Sequence, residues 1–384
     1  MVGTGRCRKI SLDELRAAIK EIPFSQRTTF RDTAAALNIP LSTLRDAKKA
    51  GVFQVTGSAI KPQLTDPNKA HRLSYCLSFI DADGCFSDML DRVDIDEKWF
   101  YITRLKRRYF VAPGEKPPHR TCKHKNHLIK VMCLTAMARP RMDPQTGVWW
   151  DGKIGTWFFT KQVPAQRNSI NRPAGTLETK TINVTREVTV YYYINYLFPA
   201  IEAKWPAWDG TRKVRIQQDN ATPHPPPGKD ASINLALADM ATRGWDVALV
   251  EQPANSPDCN TLDLAFFRAI QTIQHTTPSK NIDELISNVM AAHNDLPLGV
   301  CQKVWTTAQM VMNEIIRCGG DNTYKLPHAG KDAIVKQLQH SIPYRLPCCA
   351  IQSQSALDSA SIRLYMTTQG KLQLLHFVVA SPSI

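Results

Sequence analysis

The fold class the sequence predicts is α/β (α+β): a mixed sheet flanked by helices, preceded by a short helical region. Three observations lead there. From Arg92 onward several strand-like runs follow one another, and farther along strands and helices alternate, as expected of a mixed sheet covered by helices. Ahead of them two short helical runs are joined by a brief connector. The 384 residues, 43% of them hydrophobic, are enough for two or three domains and at least one sizeable core.

In the N-terminal region Thr29 to Ala36 and Ser42 to Ala50 read as helices joined around Leu37-Asn-Ile-Pro40, a helix-turn-helix pattern. Ala35, Leu37, Ile39 and Leu44 would pack the pair. Ser42, Thr43, Arg45, Lys48 and Lys49 are then left to face a DNA groove. Pro40 stands where a capping serine often sits, and proline is tolerated in a first helical turn. A linker at Ile60 to Thr65 opens a helix capped by Thr65 or Asp66. Asp81-Ala-Asp83-Gly84 resembles the start of a calcium loop but lacks the Glu of its twelfth position, so it reads as a turn. Strands are expected at Val93 to Asp96, Lys106 to Val111 and Leu128 to Ala136, and Arg139 to Thr179 reads as an insertion or extended loop. An amphipathic helix from Thr185 to about Lys204 comes next. After it come a strand at Val214 to Gln218, a helix at Ala231 to Arg243, a strand at Val247 to Gln252 and a helix from near Leu262.

Lys and Arg number 48 against 34 Asp and Glu, a net charge of +14, which favours an anionic partner. Residues 1–72 hold thirteen basic against six acidic side chains, and residues 104–130 nine against one, so two surfaces can meet phosphates. No apolar run reaches the roughly 18 residues of a spanning helix, and no membrane partner is expected. The ten cysteines show no C-x-x-C pair, which argues against a disulfide framework or a zinc ribbon.

The chemistry is carried by carboxylates. Alternation along the first strand puts Asp94 and Asp96 on one face, with Val93 and Ile95 on the other. The strand from Val214 ends in Asp219, and Asp263 opens the helix after Asn255-Ser-Pro-Asp-Cys-Asn260. Ionised carboxylates grouped at strand ends are costly unless a cation holds them. Hard oxygen ligands suit Mg²⁺ or Mn²⁺, and two such ions can polarise a water and steady a leaving oxygen. Asp94 and Asp258 are rivals for these roles, Asp258 being as easily a capping residue.

The blocks Val93-Asp-Ile-Asp-Glu-Lys-Trp-Phe100, Gln217-Gln-Asp-Asn-Ala-Thr-Pro-His224 and Asn255-Ser-Pro-Asp-Cys-Asn-Thr-Leu-Asp-Leu264 resemble the three signature blocks of Tc1/mariner transposases. His119-Arg-Thr-Cys122, Asp151-Gly-Lys-Ile-Gly155, Asn171 to Lys180 and Leu262 to Gln271 are similar to mariner-like elements of plants and oomycetes. The likeness runs from about residue 25 to 335. It departs from the family at Asp94, where His is common, and in the longer interval between Asp219 and Asp263.

The resemblance implies a ribonuclease-H-like DDE/D catalytic domain, with Asp96, Asp219 and Asp263 as catalytic acids and ligands of two Mg²⁺ or Mn²⁺ ions. Domains are expected at 1–75 (helix-turn-helix and linker), 76–336 (catalytic) and 337–384, a divergent and poorly structured tail. The implied activity is cut-and-paste transposition. Terminal inverted repeats are bound, metal-activated water nicks the strands, and the freed 3′-hydroxyl attacks a TA target. Arg104, Lys106, Arg107, Arg108, Arg120, Lys123 and Lys125 are candidates to hold DNA phosphates. Double-stranded DNA, a homodimer and nuclear residence follow from that substrate. The rival readings are a domesticated or decayed transposase that binds DNA without cutting it, a nuclease acting on another nucleic acid, and a purely structural basic protein.

Overall fold

The computed structural model describes residues 10–57, 60–103, 112–116, 119, 121, 128–170, 172–206, 208, 210–325 and 345–348. The chain divides into two compact units, Met1–Lys61 and Pro62–Ile384.

The first unit holds helices α1 (Leu12–Glu21), α2 (Phe30–Ala36) and α3 (Leu41–Lys49). Helix α1 is an addition to the expected pair, and its start carries a capping box in which Ser11 and Glu14 satisfy each other's backbone N–H. The expected α2–α3 pair is present. Its turn works because Asn38 accepts a left-handed conformation (φ 50°), so the N–H groups of Asn38 and Ile39 close the end of α2 on Ala35 and Ala34 carbonyls. Pro40 starts α3 without a side-chain cap. The core is Leu15, Ile19, Ala34, Leu44, Ala47 and Val52, with Leu37 and Ile39 packed at its margin. Ala35, expected inside, is exposed, because the helical phase turns Ala34 inward instead.

In the second unit, α4 (Asp66–Leu77) is capped by Thr65. The division between units falls before this helix and not at the expected 75/76. The reason is burial: Arg72 and Cys76 of α4 are both fully enclosed in the second unit.

Strands β1 (Arg92–Tyr101) and β2 (Lys130–Ala138) form an antiparallel pair. The stretch 139–179, expected as an insertion or an extended loop, holds strands. A short ribbon pairs β3 (Arg141–Met142) with β4 (Trp149–Trp150). Strand β5 (Lys153–Phe158) joins β2, and β6 (Thr160–Pro164) pairs with β7 (Leu177–Thr181). Gly152 permits the tight entry to β5: its φ is 77°, and an added Cβ would sit 2.1 Å from the Ala138 carbonyl oxygen. The strand expected at Lys106 to Val111 lies outside the described residues.

Helices α5 (Arg186–Tyr192) and α6 (Phe198–Lys204) run through a π-helical stretch, Tyr193–Leu197. Strand β8 (Lys213–Gln218), helix α7 (Ala231–Thr242) and strand β9 (Asp246–Glu251) complete the sheet. Its order is β5-β2-β1-β8-β9, with β8 parallel to both β1 and β9. A second π-helical stretch, Leu262–Phe266, leads into α8 (Phe267–Gln274), with α9 (Ile282–Asn294) and α10 (Leu298–Arg317) beyond it.

Helices cover both faces of the sheet. Val93, Ile95 and Leu134 pack with residues of α5 to α7 on one side. Phe100, Val131 and Cys133 pack with α4 and α8 to α10 on the other. Of the tail expected to be poorly structured, residues 345–348 are described: they lie on the 80–86 turn, where Cys348 is fully buried and Phe86 N–H donates to the Leu346 carbonyl. Among the described residues no helix is long and apolar enough to cross a membrane.

Candidate active site

Strand β1 pairs with β8 only from Arg92–Arg215 to Asp94–Gln217, after which the two parallel strands part. A crevice at the carboxyl ends of parallel strands is where α/β sheets take ligands. Asp96 and Asp219 emerge at that parting.

Asp96 shares its strand face with Asp94, as alternation predicts, yet the two acids have different fates. Asp94 is fully buried and makes a two-pronged ion pair with Arg92 at 2.6 and 2.9 Å. It also accepts hydrogen bonds from the N–H and hydroxyl of Thr261 at 2.8 and 2.6 Å. Its charge and lone pairs are already engaged, so it is no added metal ligand. Asp258, the other rival, pairs with buried Arg72 at 2.7 and 2.8 Å and accepts a further bond from Tyr324. It too is structural, and not a simple helix cap.

Asp96 has no such cationic partner among the described residues. Burial pushes its carboxyl up to about 9, and the nearby negative charges of Asp263, Glu97 and Asp219 add to the effect. Asp263 and Asp219 are thus near enough for their charges to act on Asp96. Asp263 stands in the π-helical turn Leu262–Phe266, which is stitched to the sheet through the Asn260 side chain and the Cys259 carbonyl of its own signature block. Asn260 Nδ2 donates to the Ile95 carbonyl at 3.0 Å, and Cys259 O accepts from Arg92 and Gln217 at 2.7 and 3.0 Å. The Asp263 carboxylate faces Lys98 Nζ at 3.7 Å.

Asp219 ends β8 in a turn held by its own block. Asn220 Nδ2 donates to Gln252 O at 2.9 Å, Gln218 Nε2 to Pro225 O at 2.7 Å, and Ala221 N–H to Asp219 Oδ1 at 2.9 Å. The residue that sequence reasoning missed is His224. It lies 2.7 Å from Asp219 Oδ1 through Nδ1 and 3.0 Å from Glu97 Oε1 through Nε2. Burial pulls its ring toward neutrality, but hydrogen bonds to Asp219 and Glu97 outweigh this and raise it to about 11. Burial likewise opposes ionisation of Asp219, and the His224 bond overcomes that, leaving its carboxyl below the ordinary range. The available signal was a histidine five residues beyond Asp219, in a proline-rich turn.

The donor set suits a divalent cation in kind. These are hard carboxylates, one of them sunk among like charges, which is the stress a cation relieves. Among the described residues, however, no three His, Cys, Asp or Glu side chains are already drawn together as a ready metal cluster. Asp219 is engaged by His224, and Asp263 faces Lys98.

Of the groove-facing candidates, Ser42, Arg45, Lys48 and Lys49 are exposed on α3 and Thr43 is half-buried. Arg104, Lys106, Arg107, Arg108, Arg120, Lys123 and Lys125 lie outside the described residues.

The chain is similar over most of its length to solved mariner transposase complexes. The Mos1 pre-cleavage transpososome matches with a TM-score of 0.59 at 15% identity, over 84% of this chain and 83% of that one. The Mos1 mariner paired-end complex with Mn matches at 0.56 and 16%, over 85% and 83%. For the Mos1 strand transfer complex the values are 0.54 and 16%, over 84% and 82%. The fold is shared with these transposases. The mixed sheet flanked by helices, expected to be of the ribonuclease-H-like class, is thus the architecture observed. No protein-family model matches the chain, and no curated protein matches it by sequence.

Proposed function

We propose that the protein is a DNA transposase of the Tc1/mariner superfamily, of the plant and oomycete mariner-like type, which cuts and joins DNA with divalent metal. What supports this is the raised carboxyl of the partly buried Asp96 where β1 and β8 part, pushed up by desolvation and by the negative charges of Asp263, Glu97 and Asp219. The three signature blocks supply these acids. The neighbours sharing the fold are paired-end and strand transfer complexes, which supports two DNA ends as ligands and a homodimer to hold them.

Asp96, Asp219 and Asp263 would hold Mg²⁺ or Mn²⁺, two ions by the family resemblance. Bound there, the metal supplies an activated water and stabilises the leaving 3′-oxygen. The chain's own residues set the stage. Asp94 and Asn260 fix the turn that presents Asp263, and Lys98 and His224 balance the charge of the acids. On α3, Ser42, Thr43, Arg45, Lys48 and Lys49 read the terminal inverted repeats. Arg104, Lys106, Arg107, Arg108, Arg120, Lys123 and Lys125 steady phosphates near the site. A TA target and nuclear residence follow from the same reading.

The test is cleavage of a duplex carrying the element's terminal repeat, with Mg²⁺ or Mn²⁺, by the unaltered chain and by Asp219→Ala. Cleavage lost on substitution, with repeat binding kept, supports the reading. Binding without cleavage by the unaltered chain would leave a decayed DNA-binding relic.

A further inference from the structure

We propose that His224 is a positioning residue for Asp219: its imidazole, braced from behind by Glu97, sets the direction of the Asp219 carboxylate and so the affinity of the site for a divalent cation. The inference rests on the metal-dependent reading above.

His224 is 4% exposed, and both ring nitrogens are used. Nδ1 meets the Asp219 main-chain oxygen at 3.0 Å and its Oδ1 at 2.7 Å, while Nε2 meets the two Glu97 oxygens at 3.0 and 3.1 Å. The Asp219 main-chain oxygen can only accept, so Nδ1 is the nitrogen that donates toward Asp219.

The ring is held independently of the Asp219 carboxylate. His224 N–H donates to Ala221 O at 2.9 Å. Prolines flank it on both sides and fix their own φ angles. Gln218 ties the turn to Pro225 and accepts from the Tyr193 hydroxyl at 3.2 Å. Glu97 is fixed as well, because it sits in the middle of β1 directly after Asp96. Glu97 and His224 therefore form a strut between the strand that carries the first acid and the turn that carries the second.

The strut aims one oxygen. His224 Nδ1 and Ala221 N–H converge on Asp219 Oδ1, which leaves Oδ2 as the oxygen to meet a cation. A ligating carboxylate fixed in this way keeps its geometry without losing rotamer entropy at binding, and loss of such supporting hydrogen bonds weakens metal affinity by roughly 10- to 100-fold.

The experiment is a Mn²⁺ titration of the full chain without DNA, free Mn²⁺ being read by its electron paramagnetic resonance signal, with thermal unfolding measured alongside. The proteins compared are the unaltered chain, Asp219→Asn, His224→Ala, His224→Asn and Glu97→Gln. His224→Ala is expected to bind Mn²⁺ roughly 10- to 100-fold more weakly while still folded. His224→Asn, whose amide can donate near the Nδ1 position, should recover part of the loss, which a merely structural role would not give. Unchanged Mn²⁺ affinity in His224→Ala overturns the proposal. Should that variant not fold, Glu97→Gln decides: weaker binding supports the strut, and unchanged binding overturns it. Equal binding by Asp219→Asn and the unaltered chain, or none by either, defeats the metal reading itself and the strut with it.

Discussion

Asp94 Oδ2 accepts both the N–H and the hydroxyl of Thr261, at 2.8 and 2.6 Å, and so anchors to β1 the segment that presents Asp263 two residues later. Arg92 completes the anchor, neutralising Asp94 and donating to the Cys259 carbonyl while its guanidinium lies over the Phe79 and Trp305 rings. Thr261→Val removes one hydrogen bond to a charged group and should cost about 1.5–3 kcal/mol. Asp94→Asn strands the buried Arg92 and should cost about 3–5 kcal/mol. Denaturant unfolding measures both. A neutral effect of Asp94→Asn on stability, coupled with loss of Mn²⁺ binding, would show that Asp94 is a ligand after all.

Asp96 is expected to behave in the opposite way. Its carboxyl is raised to about 9 by burial and by neighbouring acids, so in the metal-free fold it is a source of strain rather than support. Asp96→Asn should therefore raise metal-free stability by on the order of 1–2 kcal/mol while abolishing cleavage. A drop in unfolding temperature for this variant would mean that Asp96 makes a structural bond of its own.

The same groups set a pH dependence. Asp96 is raised from 3.8 to about 9 and His224 from 6.5 to about 11, so each holds a proton in the fold where the unfolded chain has lost it. That stability is complete below the unfolded values and lost as pH rises through the folded ones. Asp219, shifted down, acts only at lower pH. Without metal the unfolding temperature should fall as pH rises from near the unfolded histidine value, 6.5, to about 9. Mg²⁺ should raise it more at the alkaline end, because binding to deprotonated carboxylates no longer has to expel protons. A flat or rising metal-free profile over that range contradicts the assignment.

Local pattern made much of this legible. The alternation in Val93-Asp-Ile-Asp96 set the faces of β1 correctly, and the turn at Asn38 and the cap at Thr65 were readable from residue type. What stayed hidden depends on partners distant in sequence. Asp94 looks like Asp96 until Arg92 and Thr261 close around it, and Asp258 like a cap until Arg72 reaches it from α4. Strand β5 was hard to see because Lys153 to Phe158 is short and its pattern is broken by Gly155. Glu97 and His224 are far apart in the chain, so nothing local pairs them.

The contacts of residues 345–348 yield a truncation test. Arg345 spans Asp81 and Asp83, with one terminal guanidinium nitrogen 2.5 Å from Asp81 Oδ2 and the other 2.7 Å from Asp83 Oδ2, and Leu346 N–H reaches Gln309 Oε1 at 3.1 Å. A chain that ends after Cys348 is the reference. Ending it before Arg345 should cost about 2 kcal/mol, because two acids lose their partner and the Cys348 pocket opens. Equal unfolding temperatures for the two truncations would mean that the strap contributes nothing to stability.

Helix α3 yields a test of DNA binding that needs no catalysis. Arg45, Lys48 and Lys49 are exposed, and Lys48 Nζ rests 5.5 Å from the centre of the Phe30 ring, so all three can be replaced without opening the Leu44 and Ala47 core. Each cation removed from a phosphate should reduce the slope of log affinity against log salt by about 0.9, and a triple alanine variant by up to about 3. Weakening that comes from phosphates alone would affect repeat and unrelated duplexes alike. Weakening that is larger for the repeat would place one of these side chains, or Ser42 and Thr43 beside them, on base edges. An unchanged slope on both duplexes would take α3 off the DNA, and the reading of this helix pair as a groove reader would fall with it.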